Sequence, residues 1–230
     1  MKRQEHFVET SVGSAFVLES GESQQPCCLM IHGWSKSDDH QRWNFMFDSL
    51  VLEGFRILAI DMPGFGRSQN ARRLFKARSE ENLIKDGPVD VIEQILKKFL
   101  IQRFYLFGLS WGGGVAISLA IELKSRIFKM FLFMPSYTEQ KDELKFINTS
   151  CMILWIKEDL IHPCKMGKYL SNRIKLSTLV NHSIETKSIS PENYATLIMI
   201  RVLKIKIRIS FIWQFEVYDQ FLMLEMIKSN

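Results

Sequence analysis

Short, nearly continuous apolar runs alternate with segments of helical spacing along most of the chain. A short continuous apolar run is typical of a strand buried on both faces, and apolar residues recurring every three or four positions indicate a helix. The runs predict strands at 12–18, 27–31, 55–60, 104–107, 128–134, 151–156 and, more weakly, 174–180. The helical spacing predicts helices at 43–51, 88–99, 115–123 and 191–201. This alternation predicts an α/β protein, a three-layer sandwich with a mostly parallel central sheet.

Polar residues stand at the carboxyl ends of several predicted strands: His32, Asp61, Ser110, Asp159 and His182. In open parallel sheets covered by helices, ligands bind beyond the carboxyl ends of the strands. We therefore expect the chemistry of this protein at that edge of the sheet, carried by some of these side chains.

Composition narrows the class of protein. Hydrophobic residues make up 47% of the 230 residues and aromatic residues 12%, which is too apolar for a disordered chain. No apolar stretch approaches the roughly 18 residues of a membrane-spanning helix, and the basic N-terminal segment lacks the apolar core of a signal peptide. We expect a cytoplasmic protein with no membrane span.

Charge and cysteine spacing exclude further classes. The net charge of +5 is mild and its basic residues are scattered, so no nucleic-acid partner is expected. Cys27, Cys28, Cys151 and Cys164 form no CxxC pair, which leaves no metal site, and free thiols are expected.

Residues 108–112 have the sequence GLSWG, a GxSxG pattern between an apolar run and a helical segment. In this context the pattern is typical of a sharp strand-to-helix turn that strains the serine backbone and lifts its hydroxyl clear of the sheet. Glycine is needed at the flanking positions because larger side chains would meet neighbouring backbone. The turn also sets Ser110 at a helix N-terminus, which favours developing negative charge.

The segments LMIHGW, DMPGFGRS, GLSWGG and LWIKEDLIHP, followed by the late His182, resemble the α/β-hydrolase fold superfamily, in its AB hydrolase-1 or serine-aminopeptidase-like branch. The resemblance runs from about residue 12 to about residue 203. It implies an α/β-hydrolase fold and a serine hydrolase that cleaves an ester, thioester or amide of a small substrate through an acyl-enzyme on Ser110.

The resemblance implies a catalytic triad of Ser110, Asp159 and His182. Asp159 follows the strand at 151–156, where the family carries its acid, and Glu158 is the competing carboxylate. His182 follows the last predicted strand, as the family's histidine does. Asn181 stands where the family usually has glycine; asparagine tolerates the left-handed backbone conformation that glycine supplies.

The resemblance also implies an oxyanion hole made by the backbone N–H groups of Trp34 and Trp111, with both tryptophan side chains flanking the nucleophile. This mechanism requires no cofactor and no metal. Among the other histidines, we expect His32 to hold its loop. We expect His40 to face water, with a place in the pocket lining as the alternative.

The segment from Pro135 to Ser150 is too short for the helical lid domain that many relatives carry, which favours small acyl substrates over long lipids. We expect a hydrolase domain at 1–204 and an atypical tail at 205–230. The tail begins with strict alternation of apolar and basic residues, which is strand periodicity. It is interpreted as an added edge hairpin, as a segment for a protein partner or self-association, or as residues foreign to the domain.

A second function stays open at this point. The same scaffold without activity would be a ligand- or protein-binding module, and the Asn181 departure and the unusual tail favour it. Dehalogenase chemistry is disfavoured because the nucleophile position holds Ser110 rather than aspartate.

Overall fold

The computed structural model describes residues 2–68, 87–137, 142–157 and 163–182, with only the backbone of His182. Its centre is an eight-stranded sheet in the order β1-β2-β4-β3-β5-β6-β7-β8. The strands are β1 (Arg3–Thr10), β2 (Gly13–Ser20), β3 (Cys27–Ile31), β4 (Arg56–Asp61), β5 (Phe104–Leu109), β6 (Ile127–Phe133), β7 (Ser150–Ile156) and β8 (Ser177–His182).

The sheet is antiparallel at one edge and parallel elsewhere. The hairpin strands β1 and β2 pair antiparallel, and β2 pairs antiparallel with β4. From β4 through β3 and β5 to β8 every neighbouring pair is parallel. The carboxyl ends of these six parallel strands therefore share one edge, which is where an α/β sheet binds its ligands.

The main helices among the described residues are α1 (Asn44–Leu52), α2 (Pro88–Lys98), α3 (Trp111–Leu123) and α4 (Cys164–Arg173). Helix α2 begins where Gly87 is extended and Pro88 supplies a helical φ, and it ends with Lys97 and Lys98 beside its carbonyl terminus. Helix α3 is apolar on nearly all sides, as a helix buried against strands must be. The result is a three-layer α/β sandwich, as the alternation of runs and helical segments predicted.

The central strands carry the core. Strands β3 and β4 are buried at every position, and β5 and β6 are buried along their last four residues. All four cysteines are free, as expected. Burial raises the pKa of the Cys27 thiol to about 12 and raises the pKa of Cys28 well above its ordinary value, so both behave as core residues rather than nucleophiles.

Two elements were not predicted from the pattern, and one helix begins earlier than predicted. Strand β1 is an exposed edge strand in which only Val8 is fully buried, so it has little apolar signal. Helix α4 was not predicted, because no helical spacing of apolar residues was recognised in its sequence. The turn predicted at 108–114 ends at Ser110, because the glycines after Trp111 continue as helix α3.

The predicted helix at 191–201 and the tail at 205–230 lie outside the described residues, and the domain boundary at 204 stays a prediction. Between β6 and β7, the described residues contain one short 3-10 turn, Asp142–Phe146, and no longer helix. No helix within the described ranges has the length and apolar character needed to cross a membrane.

Candidate active site

Ser110 lies at the sharp turn between β5 and α3. Its backbone has φ 50° and ψ −114°, which a residue with a side chain rarely adopts. The Ser110 N–H donates to the Phe133 carbonyl at 2.9 Å, and the Ser110 carbonyl accepts from the N–H groups of Ser136 at 2.8 Å and Gly113 at 2.9 Å. These bonds tie the turn to the end of β6 and to α3, and they hold the strained conformation in place.

The glycines of the GxSxG pattern are required by close backbone approach. A Cβ on Gly108 would lie 2.5 Å from the Gly112 carbonyl oxygen. A Cβ on Gly112 would lie 2.3 Å from the His32 carbonyl oxygen. The expectation that side chains at these positions would meet backbone is confirmed, and the second contact shows that the serine turn packs against the loop that follows β3.

That loop is held by the buried His32 ring. Its Nδ1 lies 2.7 Å from the Gly33 carbonyl, and its Nε2 lies 3.0 Å from the Met62 backbone N–H. Because the Met62 N–H needs an acceptor, Nε2 carries no proton and the Nδ1–H donates to Gly33. Burial lowers the pKa of His32, in keeping with this neutral form. His32 joins the loop after β3 to the loop after β4, which is the structural role expected of it.

Asp38 fixes the next turn of the same loop. Its carboxylate accepts the Ser35 N–H at 2.8 Å and pairs with the Arg42 guanidinium. A Cβ on Gly33 would lie 2.5 Å from the same carboxylate. Trp34 therefore sits on a loop whose backbone is fixed on both sides.

Asp61, the last residue of β4, is fully buried and binds donors from two loops. One carboxylate oxygen accepts the His40 N–H at 2.6 Å and lies 2.8 Å from His40 Nδ1. The other accepts the Arg67 N–H at 2.8 Å. The Asp61 carbonyl accepts from the Ser68 hydroxyl at 2.7 Å. A buried carboxylate is stable only when its oxygens are hydrogen-bonded in this way.

The expectation that His40 faces water is wrong, because its side chain is only 11% exposed and pairs with Asp61. The burial of His40 was not predicted, because a histidine that follows two aspartates in a polar loop belongs to no pattern that indicates burial. The Asp39, His40 and Asp61 ligand atoms lie within 4.8 Å of one another. Both carboxylate oxygens of Asp61 already have hydrogen-bond partners, and Asp39 accepts the Gln41 N–H at 2.8 Å, so this group is accounted for as a hydrogen-bond network.

Two aromatic rings contact the ring of Trp111, the residue after Ser110. The Trp34 and Trp111 rings are 4.9 Å apart between centroids, and both side chains are half-buried. Phe65, which is 2% exposed, lies 5.2 Å from Trp34 and 6.0 Å from Trp111. The structure thus brings both predicted oxyanion-loop residues close to the serine turn.

The predicted acid follows β7 in the sequence, and the predicted base is the last residue of β8. Strand β7 ends at Ile156 and β8 at His182, and these residues are partners in the parallel register. Asp159 follows Ile156 by three positions but lies outside the described residues, as do Glu158 and His162. The Cys164 thiol at the start of α4 lies 3.4 Å from the Asn181 side-chain oxygen, next to His182. The role of the three residues as a triad stays a prediction.

An eight-stranded, mostly parallel sheet with a strained serine turn between the fifth strand and its helix is typical of one class of α/β proteins. The model of the α/β hydrolase fold family matches residues 28–159, more than half of the chain. The chain belongs to the α/β hydrolase fold family.

Similar proteins agree with this assignment. The chain is 30% identical over 131 residues to a pimeloyl-[acyl-carrier protein] methyl ester esterase of Nitrosospira multiformis, covering 56% of the chain and 46% of that protein. It is 26% identical over 139 residues to Protein ABHD14A of Mus musculus, covering 57% of the chain and 52% of that protein. The chain thus spans about half the length of these curated relatives.

Solved structures show the same fold. A serine hydrolase from the bacterium Cycloclasticus zankles superposes with a TM-score of 0.69 at 17% identity, covering 89% of this chain and all of that one. At this identity the likeness shows the shared fold.

Proposed function

We propose that this protein is a serine hydrolase that cleaves an ester, thioester or amide of a small substrate through an acyl-enzyme on Ser110. The observation that carries the proposal is the Ser110 backbone at φ 50°, fixed at the carboxyl end of β5 and directly before α3. Strain of about 1–3 kcal/mol persists only where surrounding contacts enforce it, and it concentrates at functional sites.

A serine hydroxyl needs a base within hydrogen-bond reach to act as a nucleophile. The register of β7 and β8 supports His182 for this role, because the His182 backbone stands at the same edge as Ser110 and opposite Ile156. Asp159 follows Ile156 closely in sequence and is proposed to orient the imidazole and to stabilise its protonated form. Chain order, with serine before acid before histidine, matches the fold.

The proposed oxyanion hole uses the backbone N–H groups of Trp111 and Trp34. Trp111 is the first residue of α3, and the first N–H groups of a helix have no acceptor within it. The packing of Gly112 on the His32 carbonyl supports the second donor, since it holds the loop carrying Trp34 against the turn. Removing one such donor typically costs about 3–4 kcal/mol of transition-state stabilisation.

The steps follow from these positions. His182 takes the proton of the Ser110 hydroxyl as its oxygen attacks the substrate carbonyl, and the tetrahedral oxyanion is bound by the two N–H groups. The proton passes to the leaving alcohol, thiol or amine as its bond to the carbonyl carbon breaks. Water, activated by His182, then attacks the acyl-enzyme and releases the acid and free Ser110.

An ester is the first substrate to test, because a relative that matches this chain is named as a methyl ester esterase. The short described connection between β6 and β7 supports a shallow site and a preference for short acyl chains. p-Nitrophenyl acetate and butyrate should be cleaved with higher kcat/KM than p-nitrophenyl palmitate. A preference for the long chain would contradict this part of the proposal.

The proposal is tested with a serine-directed fluorophosphonate probe. The wild-type protein and the Ser136→Ala control, which changes an exposed serine beside the turn, should be labelled, and Ser110→Ala should not. Circular dichroism checks that each variant is folded. A folded wild-type protein that is not labelled, or equal labelling of wild type and Ser110→Ala, would contradict the proposal and favour a non-catalytic binding module.

A further inference from the structure

Strand β1 leaves one side of its backbone open. It lies at the end of the sheet, and each of its eight residues from Arg3 to Thr10 pairs with β2 in an unbroken register. Within the residues that the structure describes, β2 is the only strand that pairs with it. A long, regular edge strand presents a row of unpaired N–H and C=O groups, which is a template for pairing with another chain.

A hydrogen bond of the neighbouring strand shows which residues of β1 turn their backbone outward. The Phe16 N–H donates to the Ser68 hydroxyl at 2.7 Å, and that hydroxyl donates to the Asp61 carbonyl on β4. Phe16 therefore turns its backbone groups away from β1. Both residues of an antiparallel pair turn the same way, toward or away from each other, so Phe7, the partner of Phe16, directs its N–H and C=O outward. The other odd-numbered residues of β1 do the same.

The side chains at these outward positions lie on one face of the sheet, because alternate residues of a strand share a face. They are Arg3, Glu5, Phe7 and Glu9, and all four are exposed. Phe7 is 55% exposed, although its ring contacts the Phe16 ring at 5.4 Å between centroids. An exposed aromatic residue on a regular edge strand favours association, and the charges beside it decide which register is possible.

Charge selects one register for two copies of β1. With a two-fold axis at His6, Arg3 lies opposite Glu9 of the second copy, and the symmetry forms this ion pair twice. An axis at Glu5 places Glu5 opposite itself, and an axis at Phe7 places Glu5 opposite Glu9, so both alternatives bring like charges together. In the His6 register the two Phe7 rings are diagonal neighbours, which is within the reach of aromatic side chains.

We propose that β1 pairs antiparallel with β1 of a second copy of this chain about a two-fold axis at His6, which joins the two sheets into one continuous sheet. The charges that normally keep an edge strand from associating are complementary in this register. Because the axis is perpendicular to the sheet, the strands of the two copies run in opposite directions. The sheet edges that carry Ser110 therefore face opposite ways, and the interface does not depend on the hydrolase activity.

Exchange of charges tests the interface. Sedimentation equilibrium of the wild-type chain should show monomers and dimers in equilibrium. Arg3→Glu and Glu9→Arg each place like charges opposite each other at two positions, so each should weaken the dimer by about 10-fold or more. An equimolar mixture of the two variants should restore the dimer, because each introduced charge then lies opposite a charge of the other sign.

Glu122→Arg is the matched control, since it makes the same change of charge at an exposed position near the end of α3. It should leave the equilibrium unchanged. Circular dichroism checks that Arg3→Glu is folded, because Arg3 also pairs with Asp48 of α1. A wild-type chain that is monomeric at every concentration, or a mixture that dimerises no better than the single variants, would overturn the proposal.

A disulfide cross-link tests the position of the axis. The two His6 residues form a non-hydrogen-bonded pair with Cα atoms about 4.5 Å apart, which suits a disulfide. In a Cys164→Ser background, which removes the partly exposed thiol, His6→Cys should give a covalent dimer under mild oxidation. Gln4→Cys is the control, because it lies on the same face but two positions from the axis, and it should stay monomeric. Equal cross-linking of the two variants, or none in either, would overturn the proposal.

Discussion

The two ends of β4 hold buried charges of opposite sign that serve different purposes. Asp61 at the carboxyl end is 0% exposed and Arg56 at the amino end is 6% exposed. Asp61 collects N–H donors from loops that follow β3 and β4. Arg56 binds Glu19 of the neighbouring strand β2, with 2.7 Å between Arg56 Nε and a Glu19 oxygen.

The Arg56 end fastens the antiparallel edge of the sheet. The second Glu19 oxygen lies 2.8 Å from His6 Nε2 on β1, and Arg56 also donates to the carbonyls of Ser23 and Phe99 at 3.4 Å. These contacts join β1, β2, β4 and the end of α2. None of them reaches the loops around Ser110.

Burial of a charge therefore does not by itself mark a functional residue. What distinguishes Asp61 is that its partners, His40 and Arg67, belong to the loops packed beside the proposed nucleophile. We therefore expect perturbation at the carboxyl end of β4 to change both activity and stability, and perturbation at the amino end to change stability alone.

The largest effect is expected from the proposed base and acid. His182→Ala and Asp159→Asn should each lower kcat/KM for p-nitrophenyl acetate by about 10⁴-fold, because the hydroxyl of Ser110 loses its base or the base loses its orientation. Glu158→Gln is the matched control for the neighbouring carboxylate. A larger loss in Glu158→Gln than in Asp159→Asn would reassign the acid.

Asp61→Asn is expected to affect both properties. The amide would set an NH2 group against the N–H of either His40 or Arg67, which leaves a buried donor without an acceptor and costs about 3–5 kcal/mol in free energy of unfolding. Loop displacement should also lower kcat/KM, by about 10²-fold. Urea unfolding and steady-state rates measure both, with exposed Asp48→Asn as the control.

Arg56→Met tests the other end of β4. It leaves the Glu19 carboxylate buried without its cation, which should cost about 3 kcal/mol in free energy of unfolding. Arg56→Met combined with Glu19→Met should recover most of that loss, because the pair is replaced by apolar bulk. In folded protein kcat/KM should stay within about 2-fold of wild type. A large loss of activity in the stable double variant would break the distinction between the two ends.

A smaller effect is expected from pH. Burial lowers the pKa of His32, and the nearby carboxylates of Asp61, Asp38 and Asp39 oppose this only in part. Below its ordinary pKa of about 6.5 the unfolded chain binds a proton that the folded His32 does not. The stabilisation by neutral His32 is thus present above about pH 6.5 and is lost as pH falls below it.

Urea unfolding at pH 7 and pH 5 measures this loss. The wild-type protein should lose free energy of unfolding at the lower pH, and His32→Asn, which cannot titrate there, should lose less. Equal losses in the two proteins would show that other groups carry the pH dependence.

The parallel core and the serine turn could be predicted from sequence because their signals are local. Continuous apolar runs marked β3 and β4, and GLSWG marked the turn at Ser110. The Asp61 network could not be predicted, since it depends on contacts between residues far apart in the chain. The segment DMPGFGRS contained one indication of this network, because a carboxylate followed by glycines and a serine is suited to accept hydrogen bonds from backbone N–H groups. Strand β1 was missed because an exposed edge strand has little apolar periodicity.

The proposed function depends on acylation of Ser110. This step is measured by mixing the protein with p-nitrophenyl acetate, quenching in acid and mapping the acetyl group by peptide mass spectrometry. We expect an acetyl group on the peptide that carries Ser110 in the wild-type protein and none on that peptide in Ser110→Ala, with an initial burst of nitrophenolate only in the wild-type protein. Turnover of the ester with the acetyl group on another residue, such as Cys164, would contradict it.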